Sequence, residues 1–257
     1  MTGLVALPIL ILFILKAGGS AFFCFVLAMT VLGLLEFYRM ALPERRVEGY
    51  LATAVGAASM PVVIYGLVPL HLAATLVVIL IGLLSLLKIR DIRESAGEAA
   101  LLLMGILYVP LLMSHLVGLR EMTHGVQWIF LLLVIVMSGD TAAFYVGSTL
   151  GRRKLYPAVS PNKSVEGMLG GLAGSIAGAF IAKATFFPWL SAVDCLATAL
   201  LAGLLGQLGD LFESLLKRSF GVKDSGTIFP GHGGVLDRLD SILFAAPTLY
   251  LYAYYLF

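Results

Sequence analysis

The stretch QWIFLLLVIVMSGDTAAFYVGSTL, residues 127–150, decides the fold class. It runs from Gln127 to Met137 without a charge, meets Asp140, and continues uncharged to Leu150. A helix crossing a hydrocarbon core roughly 30 Å thick needs about 20 mostly apolar residues, and this segment supplies them.

Working outward, similar segments fall at roughly 3–16, 18–38, 50–69, 70–87, 98–119, 166–187, 189–212 and 236–257, which makes nine candidate spans. With 60% hydrophobic and 12% charged residues and a mean hydropathy of +1.00, the chain has too few polar groups to cover a water-soluble globule. The expected fold is all-α, a polytopic transmembrane helix bundle of about nine spans. It reads as one integral-membrane domain over 1–257, with less characteristic spans in 1–125 and the catalytic portion in 126–257. The first segment is short and lacks a basic leader and a small-residue cleavage site, so it reads as a retained span or half-hairpin rather than a signal peptide.

Charge placement orients the bundle. Of the 17 Lys and Arg, all but Lys16, Arg120 and Lys183 fall in loops on one side of a nine-span chain. These are Arg39, Arg45 and Arg46; Lys88, Arg90 and Arg93; Arg152, Arg153, Lys154 and Lys163; and Lys217, Arg218, Lys223 and Arg238. The positive-inside rule puts that side, and the N-terminus, in the cytoplasm and the C-terminus outside.

Cys24 and Cys195 lie inside predicted spans without metal-ligand spacing and read as packing residues. His71, His115 and His124 lie near the outer span ends, so a zinc site is not expected. Gly170, Gly174 and Gly178 recur every fourth residue, hence on one helix face, and predict close approach of a neighbouring helix.

Charge at bilayer depth is costly unless paired, hydrated or metal-bound. Asp140 sits about 10 residues from the cytoplasmic end of its span, roughly 15 Å deep at 1.5 Å per residue, which implies a water-accessible cavity or a cation. A lone hydrogen-bonded Asp bracing its neighbours is the plainer alternative. Further on, Asp210, Glu213, Ser214 and Lys217 are spaced by three, four and seven and share a helical stripe. That stripe alone could be a salt-bridged helix end.

The loop that follows carries Gly231, His232, Gly233 and Gly234, whose backbone freedom suits phosphate binding. The last span then opens with Asp237, Arg238 and Asp240, with the two acids on a common face near a positive dipole end. Carboxylates gathered without Cys or His select a hard cation, and Mg²⁺ shares its shell between one or two carboxylates and substrate phosphates. Lys163, Lys217, Arg218, Lys223 and Arg238 supply compensating charge, so phosphoryl or nucleotidyl transfer is the favoured class. No GxxxxGK[ST] loop is present.

The 27 residues from Ser214 to Asp240, SLLKRSFGVKDSGTIFPGHGGVLDRLD, closely resemble the signature of phosphatidate cytidylyltransferases, also called CDP-diacylglycerol synthases. Supporting resemblance lies in Asp140 to Gly147 and in Ser160 to Gly167, although Asn162 and Val165 stand where that family commonly has Lys and Trp. The resemblance implies attack of the phosphatidic acid phosphate on the α-phosphorus of CTP, giving CDP-diacylglycerol and pyrophosphate.

It further implies that Asp210, Asp237 and Asp240 are metal ligands, with Asp140 and Glu213 next, for Mg²⁺ and room for a second cation. Lys217, Arg218 and Lys223 would hold phosphates, and Lys163 would clamp the triphosphate or the lipid headgroup. His232 would organise the loop or donate to a phosphate beside Gly233 and Gly234, with Ser214 nearby and Arg238 bracing the acids. The expected partners are CTP, phosphatidic acid and membrane lipids, with a homodimer admitted and no nucleic acid. The expected setting is a bacterial inner membrane. Two other readings stay open: a CTP-dependent lipid kinase or related cytidylyltransferase, and an ion-coupled transporter built around Asp140. The dense polar loop and the lack of a clear internal repeat count against the transporter.

Overall fold

The computed structural model describes residues 2–87, 91–228 and 233–257, the side chains of 2–7 and of Leu87 apart. Lys88, Arg90, Gly231 and His232 from the reading above lie outside the described residues. Helices form at all nine expected positions. They are α1 (Thr2–Lys16), α2 (Gly19–Ala41), α3 (Arg46–Ile64), α4 (Leu70–Leu87), the pair α5 (Ile92–Tyr108) and α6 (Pro110–Glu121), α7 (Gly125–Leu150), α8 (Val165–Thr185), α9 (Ala192–Ser219) and α10 (Leu236–Tyr255).

Among the described residues six segments are long and apolar enough to cross a membrane: α2, α3, the α5–α6 pair, α7, α8 and α9. Six of the nine expected spans meet these criteria. The 15 residues of α1 reach only about 22 Å, and α4 contributes the shorter apolar stretch Leu70–Leu86. Acids in the first turns and four tyrosines keep α10 polar at both ends.

The fifth segment departs from the expected single helix because Pro110 lacks an N–H and its ring crowds the preceding turn, so α5 stops at Tyr108 and Pro110 opens α6. α5 also starts earlier than hydropathy suggests. The Asp91 side chain accepts from the Arg93 N–H at 2.8 Å and caps the helix, and Glu98 is neutralised by an ion pair with buried Arg45. Residues 154–164, expected as plain loop, instead form an antiparallel hairpin of β1 (Lys154–Tyr156) and β2 (Ser160–Ser164), with Lys154 opposite Ser164. Ser164 then caps α8 by accepting from the Gly167 N–H at 3.1 Å.

The glycine stripe packs as expected. A methyl group built at Gly170, Gly174 or Gly178 would run into Val146, Ala142 or Ser138 of α7, so these positions set the α7–α8 approach. α9 lies against α8 and α10. Cys195 is buried beside the Ala179 carbonyl, while Cys24 faces outward, so only the first is a packing residue. At the end remote from the acids, His124 stacks on Trp189 with ring centroids 4.3 Å apart, and Arg120 donates to the Ala17 carbonyl at 3.0 Å.

Candidate active site

The polar stripe of α9 divides between two partners. Asp210 Oδ2 meets Lys163 Nζ of the hairpin at 2.7 Å. One turn later Glu213 is fully buried, and Lys217 Nζ lies 2.5 Å from Glu213 Oε2 and 2.5 Å from Asp237 Oδ1 at the head of α10. A buried ammonium between two carboxylates is the arrangement that low-dielectric surroundings require, since neither acid is stable there alone. Glu213 Oε1 is buried without a hydrogen-bond partner among the described residues.

Asp237 has both oxygens engaged. Oδ1 takes Lys217, and Oδ2 accepts from Ser225 N at 2.9 Å, Ser225 Oγ at 2.7 Å and Gly234 N at 2.8 Å. Gly233 makes the turn into α10 at φ +79°, a conformation that L side chains rarely adopt. Asp237 thus ties the loop before α10 to α9.

Asp240, one turn further along α10, lies within Coulombic reach of Asp210, Glu213 and Asp140. Asp140 in turn feels Asp210 and Lys163. Asp140 also shares a small cleft with Ser175, Gln207 and Ser241, walled by Gly139, Gly203 and Gly206 of α7 and α9. The separate stretches of the sequence reading therefore meet at one end of the bundle: Asp140 from α7, Lys163 from the hairpin, Asp210, Glu213 and Lys217 from α9, and Asp237 and Asp240 from α10. Ser214 is half-buried beside them.

The remaining basic residues are placed differently. Arg218 donates from Nη1 to the Val222 carbonyl at 3.1 Å and from Nε to the Val159 carbonyl at 3.4 Å, so it clasps the hairpin against the loop. Lys223 and Arg238 are exposed. Among the described residues Arg238 makes no ion pair with the acids it was expected to brace. Gly234 contributes its N–H to Asp237.

Two residues of the N-terminal portion reach this site without having been singled out. Glu36 of α2, 2% exposed, accepts from Val235 N at 3.0 Å and Leu236 N at 2.8 Å, and its Oε2 lies 3.2 Å from Ser225 Oγ. It is an acid within an apolar segment, the same signal that marks Asp140. Tyr108, at the α5–α6 break, has a buried hydroxyl without a hydrogen-bond partner among the described residues, within Coulombic reach of Glu213, Asp240 and Asp210. Its ring packs on Phe212 and Phe244, at centroid distances of 5.4 and 6.4 Å, in an aromatic wall continued by Phe37. Nothing in the sequence pattern distinguishes Tyr108 from its apolar neighbours.

The donor set fits a hard divalent cation. Every candidate ligand is a carboxylate oxygen, and the orphaned Glu213 Oε1 marks unmet negative charge. Among the described residues no three such side chains stand at coordination spacing. Mg²⁺ needs only one or two carboxylates when phosphates and water complete its shell. Asp140, Asp210 and Asp240, with oxygens not consumed by a loop as those of Asp237 are, would supply them.

Comparison with known proteins agrees with this chemistry. A phosphatidate cytidylyltransferase of Staphylococcus aureus (strain COL) is 35% identical over 261 aligned positions, covering 97% of this chain and 95% of that protein. The Bacillus subtilis (strain 168) protein of the same name is 41% identical over 154 residues, 60% of this chain and 57% of its own length. That of Staphylococcus saprophyticus is 41% identical over 167 residues, 65% and 64% of the two chains. A family profile matches residues 1–256, essentially from end to end. With that match and a relative aligned over nearly its whole length, this integral membrane chain belongs to the cytidylyltransferase family.

Proposed function

We infer that this chain is a phosphatidate cytidylyltransferase, joining CTP and phosphatidic acid to give CDP-diacylglycerol and pyrophosphate. The observation that carries the reading is the meeting of the Lys217–Asp237 and Lys163–Asp210 pairs with Asp140 and Asp240 at one end of a membrane bundle whose relatives carry that name.

An oxygen of the lipid phosphate forms a bond to the α-phosphorus of CTP, and the bond from that phosphorus to the bridging oxygen breaks, releasing pyrophosphate. The lipid phosphate is already ionised near neutral pH, so no dedicated base is needed and catalysis rests on alignment and charge neutralisation. Mg²⁺ held by one or two of Asp140, Asp210 and Asp240 would neutralise charge on the transferring phosphates. Lys163, half-buried and paired with Asp210, would exchange that carboxylate for a phosphate oxygen. Lys217 is held inside between two acids, so it sets the local potential and the position of Asp237. Exposed Lys223 and Arg238 are free to meet CTP or the headgroup from the loop side. His232 keeps its proposed role as a loop donor to phosphate. The aromatic wall of Phe37, Tyr108, Phe212 and Phe244 keeps the bundle side of the site dry.

The site lies on the cytoplasmic side of a bacterial inner membrane in this reading, since CTP is cytoplasmic and the basic residues cluster at the same end. Product analysis with CTP labelled separately at the α- and γ-phosphates tests the reaction. Entry of α-label into the lipid supports nucleotidyl transfer, entry of γ-label makes the chain a lipid kinase, and entry of neither removes both.

A further inference from the structure

The described part of the loop between α9 and α10, with Ser225, Gly233 and Gly234, is anchored on Glu36, nearly 200 residues away in sequence and five residues before the end of α2. Val235 gives α10 no side-chain cap. The first N–H groups of a helix need acceptors and carry its positive dipole end. The Glu36 carboxylate meets both needs from another helix, one oxygen on Val235 N and the other on Leu236 N. Its second oxygen also reaches Ser225 Oγ, which donates to Asp237 Oδ2 at 2.7 Å, and Asp237 holds Lys217. The loop fits closely around this acid, because a methyl group built at Gly226 or Gly234 would run into the Glu36 carboxylate.

We propose that Glu36 is a positioning residue for nucleotidyl transfer: through Ser225 and the first amides of α10 it fixes Asp237 and Lys217, and with them the ends of α9 and α10 that carry Asp210 and Asp240, so that α2 is part of the active site. This rests on the function inferred above. A simple helix cap would need only a neutral acceptor. Here the acceptor is a buried carboxylate that, among the described residues, has no cationic partner and is solvated by the donors of this one loop and helix end. Displacing the loop would strand that charge, which is strongly unfavourable. The loop is therefore held in one geometry by the acid, and that geometry places the Asp237–Lys217–Glu213 chain.

The test uses the purified full-length protein with CTP, phosphatidic acid and Mg²⁺, comparing Glu36→Gln, Ser225→Ala, their double variant and Gly226→Ala. Glu36→Gln puts an amide donor against one of the N–H groups, whereas Gly226→Ala pushes on the same carboxylate from the loop without altering α2. Both are expected to lower kcat by about tenfold or more, with little change in KM for CTP and in thermal unfolding. The double variant is expected to be no slower than the slower single variant within about twofold, because both changes cut one chain of contacts. Unchanged kcat in a folded Glu36→Gln protein, multiplicative effects in the double variant, or losses that merely track unfolding would overturn the proposal. If Glu36→Gln does not fold, Gly226→Ala decides, and full kcat there overturns it. If the unmodified protein makes no CDP-diacylglycerol, the functional reading fails and the inference with it. If it does and folded Glu36→Gln matches it, only the inference fails.

Discussion

Lys217 on α9 and Asp237 at the head of α10 meet at 2.5 Å, and the same ammonium lies 2.5 Å from fully buried Glu213. One cation thus joins two helices and compensates two acids in a region largely closed to water. Removing it strands a buried charge, so Lys217→Gln is expected to destabilise the protein by roughly 3–5 kcal/mol and to abolish activity. Adding Glu213→Gln removes the stranded charge and should restore much of the stability while turnover stays about 100-fold or more below normal. Denaturation in detergent together with turnover checks this, and recovery of both would reduce the pair to a structural role.

Asp140 shares a small cleft with Ser175, Gln207 and Ser241 and feels the charges of Asp210 and Lys163. Asp140→Asn keeps shape and hydrogen-bonding capacity but loses charge. It is expected to raise the Mg²⁺ concentration for half-activation by on the order of tenfold and to lower turnover, with folding intact. A Mg²⁺ titration of the purified variant checks this. A normal response would leave Asp140 as a helix brace.

Much of this site was legible in sequence because polar residues in an apolar chain are conspicuous. Asp140, the 210–217 stripe and the acids at 237 and 240 each interrupt a hydrophobic pattern, and the structure brings them to one end. Glu36 sends the same signal. Its neighbours Leu34, Leu35 and Phe37 are apolar, yet it sits close enough to Arg39 to pass for an interfacial charge. Two of its contacts are backbone amides, which leave no trace in side-chain identity. The hairpin at 154–164 is hidden for a related reason, since its pairing is made by backbone and its side chains do not alternate apolar with polar. The break at Pro110 was visible as a proline, but hydropathy alone averages across it.

Tyr108 carries no sequence signal, and its importance rests on a buried hydroxyl without a partner among the described residues. Tyr108→Phe removes only that oxygen, so stability should hold or rise by up to about 1 kcal/mol, because an unsatisfied buried polar group is itself costly. If the hydroxyl serves the water or phosphate shell of the acids, turnover should fall about fivefold, the equivalent of one ordinary hydrogen bond. Thermal unfolding and kcat measured on the same preparation separate the two. Unchanged kcat would confine Tyr108 to the aromatic wall.

Arg218 links the hairpin to the loop after α9 through Val159 and Val222, so both segments belong to one aqueous face. Single cysteines at Ala158 and at Thr227, in a protein with Cys24 and Cys195 replaced, should both react with an impermeant reagent applied from the cytoplasmic side of inverted vesicles. Labelling from opposite sides would break the site apart, and labelling of both from outside would reverse the orientation.

The acids toward the C-terminal end of α9 and at the head of α10 are expected to serve nucleotidyl transfer to a lipid phosphate. The most direct measurement is the initial rate at which α-phosphate label passes from CTP into lipid, with purified protein, phosphatidic acid and saturating Mg²⁺, for the unmodified chain and for Asp240→Asn. The label should enter the lipid with the unmodified chain, with pyrophosphate released in equal amount, and the rate should fall by on the order of 100-fold or more in a folded Asp240→Asn protein. Absence of α-label from the lipid with the unmodified chain, or an undiminished rate in the variant, would contradict the account.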